Sequence, residues 1–381
     1  MRYGSGSRGG TLGGSPVATR PEDVFDDPGA VAARVRAHLE EELESPEFPR
    51  VAGFRELAGP DEEPPPRVAP AVEVARFARE ERARVLEAGV GGLEKLAAGR
   101  ADEIDEDEYV GVAAIVLLEG RPAIPVRGRD FDARPGTWAA LDAEREAIGA
   151  SLAGVGRVVV TGHPSLDWIG TAFLAGPDVV MTSRRVAAEF CRADGVGWAF
   201  RDGMSARLDP GEELPAHPAP GPVAQTGPPP YEITGVIGMH PDADLALLRI
   251  DPPDGEPPPA PLAVAADAPA DLPGRAVYVI GYPAGDGRRD EPETMRRIFM
   301  DAYDLKRLQP GRATGFSADG PVLRHDCSTL GDNSGAPVLD LADHRVLGLH
   351  TGGRYRVGNV AVPLWELVDD PLLARAAVNW V

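Results

Sequence analysis

Three short segments hold the residues of this chain whose types and settings could do chemistry. The last of them, Ser328-Thr329-Leu330-Gly331-Asp332-Asn333-Ser334-Gly335-Ala336-Pro337-Val338, puts Ser334 in a glycine-bounded turn followed by small residues and an apolar run. Such a turn exposes the hydroxyl and offers backbone N–H groups to a negatively charged oxygen. A plain Gly/Ser turn accounts for the same residues. The middle segment, His240-Pro241-Asp242-Ala243-Asp244-Leu245-Ala246-Leu247-Leu248, leads Asp244 into an apolar strand. An unpaired carboxylate is costly there, so a partner is expected. The first segment runs from Gly170 to Ala187 and ends its apolar stretch at Thr182-Ser183-Arg184-Arg185. No Cys/His ligand cluster and no glycine-rich phosphate loop accompanies them, so neither metal nor cofactor is expected.

The elements that must position these residues are short. From Val155 onward, apolar runs alternate with Gly, Pro and Asp: 157–161, 171–174, 179–182, 232–239, 245–250, 276–280, 311–315, 322–325, 336–339, 346–350 and 357–361. Many brief strands at such intervals indicate a β-barrel or sandwich. Residues 209–230 are rich in Pro and Gly and read as an extended loop.

Upstream the texture is different. Residues 1–22 form a Gly/Ser-rich tail expected to be disordered. Helical periodicity appears over 28–44, with Asp27 as cap, and over 70–98, where Gly89-Val90-Gly91-Gly92 should kink or split the helix. Between these lies a stiff Pro-rich linker at 60–66. The acidic run 102–108 lacks the glycine and spacing of a calcium loop and reads as a solvated loop. Residues 109–126 suggest two strands and a turn, 138–152 a helix, and 363–381 a closing amphipathic helix.

In order along the chain, the three segments resemble the trypsin-like serine peptidases, in particular their bacterial branch related to glutamyl endopeptidases. In that branch the first segment reads G-T-G-F-L-V-G-P-D-L-V-L-T-N-R-H-V, the second D-L-A-L-L and the third G-G-N-S-G-S-P-V. Val346-Leu347-Gly348-Leu349-His350-Thr351-Gly352-Gly353 and Asn359-Val360-Ala361-Val362-Pro363 extend the match, so that it covers roughly residues 155–365. The resemblance implies a mainly β fold of two six-stranded antiparallel β-barrels of trypsin-like type. A small, mainly helical region precedes the barrels and a C-terminal helix follows. The expected division is a tail at 1–22, a helical region of unassigned role at 23–153, a peptidase domain at 154–365 and a terminal helix at 366–381.

Carried over residue by residue, the resemblance makes Ser334 the nucleophile and Asp244 the acid that orients the base, in the family order base, acid, nucleophile. The base position falls on Arg185. Arginine keeps its charge, with a pKa above about 12, and cannot accept the serine proton, although it can pair with Asp244. Asp332 stands where the family usually has the glycine whose N–H helps form the oxyanion hole, so the oxyanion region Asp332-Asn333-Ser334 also departs from the pattern. Asn333 replaces the aspartate that pairs with a new N-terminus in zymogens, and proteolytic activation is not implied.

Seven histidines could substitute for the base: His38, His163, His217, His240, His325, His344 and His350. His38 and His217 read as exposed, His240 as a turn residue, and His325 and His344 as surface or packing residues. His163 precedes a loop and could approach the site. His350 matches the family position that contacts an acidic substrate side chain, with Thr329 on the same pocket wall; a core histidine bonded to backbone is the competing reading. The expectation is a silent or severely impaired peptidase homologue serving as a peptide- or protein-binding module. The alternative is an active endopeptidase preferring acidic residues, with its base supplied by His163 or by a partner chain.

Composition adds exclusions. With 39 Lys+Arg against 60 Asp+Glu, the formal charge of −21 repels phosphate backbones, so nucleic acid is not an expected partner. No apolar stretch reaches the ~18 residues that span a bilayer, and no membrane association is expected. No signal peptide is visible at the start, and only Cys191 and Cys327 are present, which reads as a cytoplasmic chain without a disulfide framework.

Overall fold

The computed structural model describes residue 25 and residues 27–44, 68–132, 136–195, 197–211, 213, 229–251, 258–283, 305–317, 320–329, 333–354 and 358–381. Three helices open it: α1 (Pro28–Glu44), α2 (Val68–Ala97) and α3 (Glu106–Ile115). Asp27 caps α1 through the N–H of Ala30 at 2.9 Å. Val31, Val35 and Leu39 of α1 meet Val85, Leu86, Val90 and Leu93 of α2 and Val112 and Ile115 of α3 in a separate small core.

Two expectations for this region are overturned. The Gly89–Gly92 run does not break α2, which is continuous through it. A Cβ at Gly89 would overlap the backbone of Gly111, and one at Gly111 would overlap Gly89 and the Val85 carbonyl. The glycines let α2 and α3 touch backbone to backbone, a gain in packing that outweighs a helix-propensity cost of about 1 kcal/mol each. The acidic run is not a free loop either. Asp105 and Glu108 form a reciprocal capping box, and Glu106, Asp107 and Glu108 occupy the first turn of α3, where negative charge complements the helix dipole. That nucleus carries the apolar run after it into helix instead of the two strands expected over 109–126. Only β1 (Ile124–Arg127) is extended there, pairing with β2 (Asp130–Phe131).

After the short helices α4 (Ala140–Ala143) and α5 (Arg145–Ala153) the chain becomes β-rich. The first barrel contains β3 (Val155–Thr161), β4 (Trp168–Gly176), β5 (Val179–Thr182), β8 (Ser205–Asp209), β9 (Tyr231–Met239) and β10 (Ala246–Asp251). It closes in the order β10-β5-β4-β3-β8-β9. Between β5 and β8 lie α6 (Arg184–Phe190) and a small hairpin of β6 (Cys191–Ala193) and β7 (Trp198–Phe200). The second barrel contains β11 (Ala276–Gly281), β12 (Arg307–Ser317), β13 (Val322–His325), β14 (Pro337–Asp340), β15 (Val346–Arg354) and β16 (Gly358–Pro363). Its order is β11-β14-β15-β16-β13-β12, and it closes through β11–β12 pairing. All pairings in both barrels are antiparallel, and β1 adds to the outer edge of β12. The fold is therefore mainly β, two closed six-stranded antiparallel barrels after a helical region, as expected.

Period two explains why the strands look almost uniformly apolar. In β4, Ala172 and Leu174 point into the first barrel, while Phe173 and Ala175 join the core between the barrels. Leu248 and Leu247 of β10 divide in the same way. The inter-barrel core also takes Ile124, Trp138, Leu141, Ile148 and Leu152, so β1, α4 and α5 pack on the barrels and not on the helical core. Fully buried Lys306 reinforces that docking, donating to the carbonyls of Leu152 (3.0 Å) and Pro210 (2.9 Å) and to Glu213 (2.7 Å). The C-terminal helix is much shorter than expected. Asp370 caps α7 (Pro371–Ala374), and the chain then returns to bridge Trp380 to Val264.

Candidate active site at the barrel seam

The serine turn of the second barrel is hydrogen-bonded directly to the first. The Thr171 N–H donates to the Ser334 carbonyl at 3.0 Å, and the Thr182 hydroxyl donates to the Thr171 carbonyl at 2.7 Å. Gly335 has φ +92°, and a Cβ there would overlap the Thr171 carbonyl, so only glycine fits this turn. The Gly335 N–H returns to the His350 carbonyl at 2.8 Å. Ser334 itself is half-buried, and its hydroxyl donates to the Thr351 carbonyl at 3.3 Å.

Arg185 comes from the other side of the seam. Ser183 caps α6 by accepting from the Val186 N–H at 3.2 Å, and Val186, Ala187 and Phe190 bury the inner face of the helix. That periodicity leaves Arg185 outside, with its side chain 64 % exposed. Its Nε donates to Asp244 Oδ2 at 2.8 Å and its backbone N–H to Asp244 Oδ1 at 3.1 Å. Asp244 thus has the partner its setting required. Arg184, which the sequence reading passed over, donates to the carbonyls of His240 (3.0 Å) and Pro241 (2.6 Å) and pins the same loop.

The remaining predicted residues divide. Asn333 is buried and exchanges amide hydrogen bonds with Gln309 at 3.3 and 3.4 Å. Asp332 lies outside the described residues, as does His217. His350 is buried and shares a 3.1 Å hydrogen bond between its Nδ1 and His325 Nε2, the rings meeting edge to face. His325 is a core residue, the packing alternative of its two readings. Burial pushes its pKa down to about 3, and its Nδ1 has no hydrogen-bond partner among the described residues. The alternation of Leu323 and His325 along β13, both inward, is the signal that could have placed it. Thr329 donates its N–H to the Cys327 carbonyl at 2.8 Å, while its hydroxyl and that of Ser328 are buried without hydrogen-bond partners among the described residues.

Among the described residues, neither His163 nor His240 is hydrogen-bonded to Ser334. His163 accepts the N–H groups of Ser165 and Leu166 on Nδ1, and its Nε2 faces Glu189 at 3.6 Å. His240 accepts from Asp242 and Ala243 on Nδ1 and pairs with Asp370 through Nε2 at 3.1 Å. His344 bridges Tyr278 and Glu144 at 3.0 and 3.1 Å. Burial raises the Cys191 thiol to about 12 and the Cys327 thiol as well, so both are unreactive. Among the described residues no group of three His, Cys, Asp or Glu side chains could hold a metal. No described helix is long and apolar enough to cross a membrane.

Residues 170–349, just under half of the chain, match the family model of the trypsin-like peptidase domain. With the paired barrels, this supports a trypsin-like serine peptidase family for that part of the molecule. Protease Do-like 1, chloroplastic, of Arabidopsis thaliana is 34% identical over 116 residues, 30% of this chain and 24% of that protein. The match therefore spans about a quarter of that relative's length. Among solved structures, the active form of the Rv3671c protease from M. tuberculosis is 20% identical with a TM-score of 0.41, covering 68% of this chain and 91% of that one. The HtrA-type protease AlgW with decapeptide is 16% identical with a TM-score of 0.39, covering 62% and 68% respectively. The fold assignment rests on the strand pairing and not on these likenesses.

Proposed function

We propose that residues 154–365 form a peptidase-like domain that is catalytically silent or severely impaired and binds peptide or protein in its inter-barrel groove. The observation that carries this reading is the Arg185–Asp244 pair. A permanently charged guanidinium, which has no lone pair to accept a proton, fills the position of the base. The Ser334 hydroxyl, meanwhile, is spent on the Thr351 carbonyl. Loss of the base in a triad on another fold costs on the order of 10⁶ in turnover. The likeness to glutamyl endopeptidases belongs to the same proposal. The hydroxyls of Ser328 and Thr329, without hydrogen-bond partners among the described residues, and the buried His350 suit an acidic ligand side chain. The helical region before the barrels serves as a partner-docking or effector element.

A working endopeptidase is the second reading, favoured by the retention of Ser334 and Asp244. It requires a base from a partner chain, or a His163 that turns away from Glu189. Labelling by a fluorescent fluorophosphonate separates the two readings. The natural protein stays unlabelled, and Arg185→His, alone or with Asp332→Gly, restores labelling that Ser334→Ala abolishes. Labelling of the natural protein that disappears in Ser334→Ala would establish the active reading instead.

A further inference from the structure

We infer that the groove recognises the free C-terminal carboxylate of a peptide chain, with Arg185 as the residue that binds it; this rests on the peptide-binding reading above. The guanidinium is oriented but only partly used. Asp244 takes Nε and the backbone N–H, and among the described residues no hydrogen bond occupies Nη1 or Nη2. Those two nitrogens lie at the open end of a side chain that is 64 % exposed.

Their direction follows from Gly352. Arg185 Nη2 is 3.5 Å from where a Cβ on Gly352 would stand, so the guanidinium reaches across the seam to β15. One residue earlier on β15 is Thr351, whose carbonyl receives the Ser334 hydroxyl. The cation and the serine therefore flank one short stretch of strand, and the bare Cα of Gly352 leaves the space between open. The Ser334 N–H donates to no described residue. A carboxylate in this space can take one oxygen to the guanidinium and the other to the Ser334 N–H. Arginine favours such planar, two-point contacts with carboxylates.

A scissile peptide bond has no charge to offer that cation, whereas a chain end has one. The carboxylate would replace the scissile carbonyl, with the last side chain entering the pocket beside Ser328 and Thr329. The Asp244 charge is matched by the Nε contact, so the contact geometry, and not the net charge of −21, sets the local preference.

The test uses the full chain, immobilised, and two N-acetylated hexapeptide pools identical except for a free carboxylate or a carboxamide at the C-terminus. Retained peptides are identified by mass spectrometry for the natural protein, Arg185→Gln and Arg185→Gln/Asp244→Asn. The double variant removes both charges and leaves no unpaired carboxylate, and thermal unfolding verifies that each variant is folded. The expected result is enrichment of the carboxylate pool by at least about 10-fold, as for loss of one charge-assisted hydrogen bond, falling to parity in both variants. Equal retention of the two pools, or a preference that persists in the double variant, would overturn the inference and leave peptide binding standing. Retention of neither pool would overturn both.

Discussion

Two nitrogen–carboxylate pairs hold the loop between β9 and β10, one at each end. At the start of the loop, His240 is buried, receives two loop N–H groups on Nδ1 and pairs with Asp370 through Nε2. At the end of the loop, Asp244 meets Arg185, whose side chain is largely exposed. An imidazole–carboxylate pair is thus present in this barrel but is committed to shaping the turn. At the other end of the loop the carboxylate meets a guanidinium instead. Residue type does not make a base; access to the serine proton does.

The comparison breaks most strongly if histidine is moved from the buried role to the exposed one. Arg185→His with Asp332→Gly is expected to raise hydrolysis of a quenched fluorescent peptide by about 10³-fold over the natural protein, in the range a positioned general base contributes. Adding Ser334→Ala should return the rate to background. No gain in a folded double mutant would show that the seam lacks more than its base.

The buried pair should fail differently. Asp370→Ala removes the cap on α7 and leaves His240 Nε2 without its acceptor. A loss of about 2–3 kcal/mol in urea unfolding is expected, the sum of a cap and a buried hydrogen-bonding group.

His325 sharpens the contrast, since it is buried and, among the described residues, meets another imidazole, that of His350, instead of a carboxylate. Burial keeps it neutral down to about pH 3, whereas the unfolded chain takes up the proton near pH 6.5. Between these values the unfolded state binds more protons, so its share of stability is intact above about 6.5 and lost as pH falls toward 3. His325→Gln should flatten that part of the profile in denaturant titrations at pH 7, 5.5 and 4. An unchanged slope would assign acid lability elsewhere.

The smallest effect belongs to the exposed pair. Arg185→Gln is expected to cost under about 1 kcal/mol in the same assay, as an ion pair open to solvent does. A larger loss would mean that Arg185 is a structural strut and weaken the case for it as a ligand contact.

Much of the barrel architecture was legible in the sequence. Strands β3, β4, β5 and β9 to β16 stood out because both faces of most are buried, giving dense apolar runs between turn residues. The strand β8 was not seen, nor was the hairpin of β6 and β7. Ser205-Ala206-Arg207-Leu208-Asp209 buries only alternate apolar residues and is fixed by its neighbours β3 and β9. At the site, the serine turn and the Asp244 pairing could be anticipated from local chemistry. The His325–His350 contact joins β13 to β15, strands that meet only through β16, and no local signal reports it.

The sequence by itself determined that residue 185 carries a permanent cation and not a titratable base, because side-chain chemistry is independent of fold. It also set which turns require glycine and which strands are apolar. Tertiary structure alone decided that Gly89 and Gly111 join two helices instead of breaking one, and that His240 serves a turn. It also decided that the unused end of Arg185 reaches across to Gly352. Those outcomes depend on which distant backbone lies within a few ångströms, and chain order does not encode that distance.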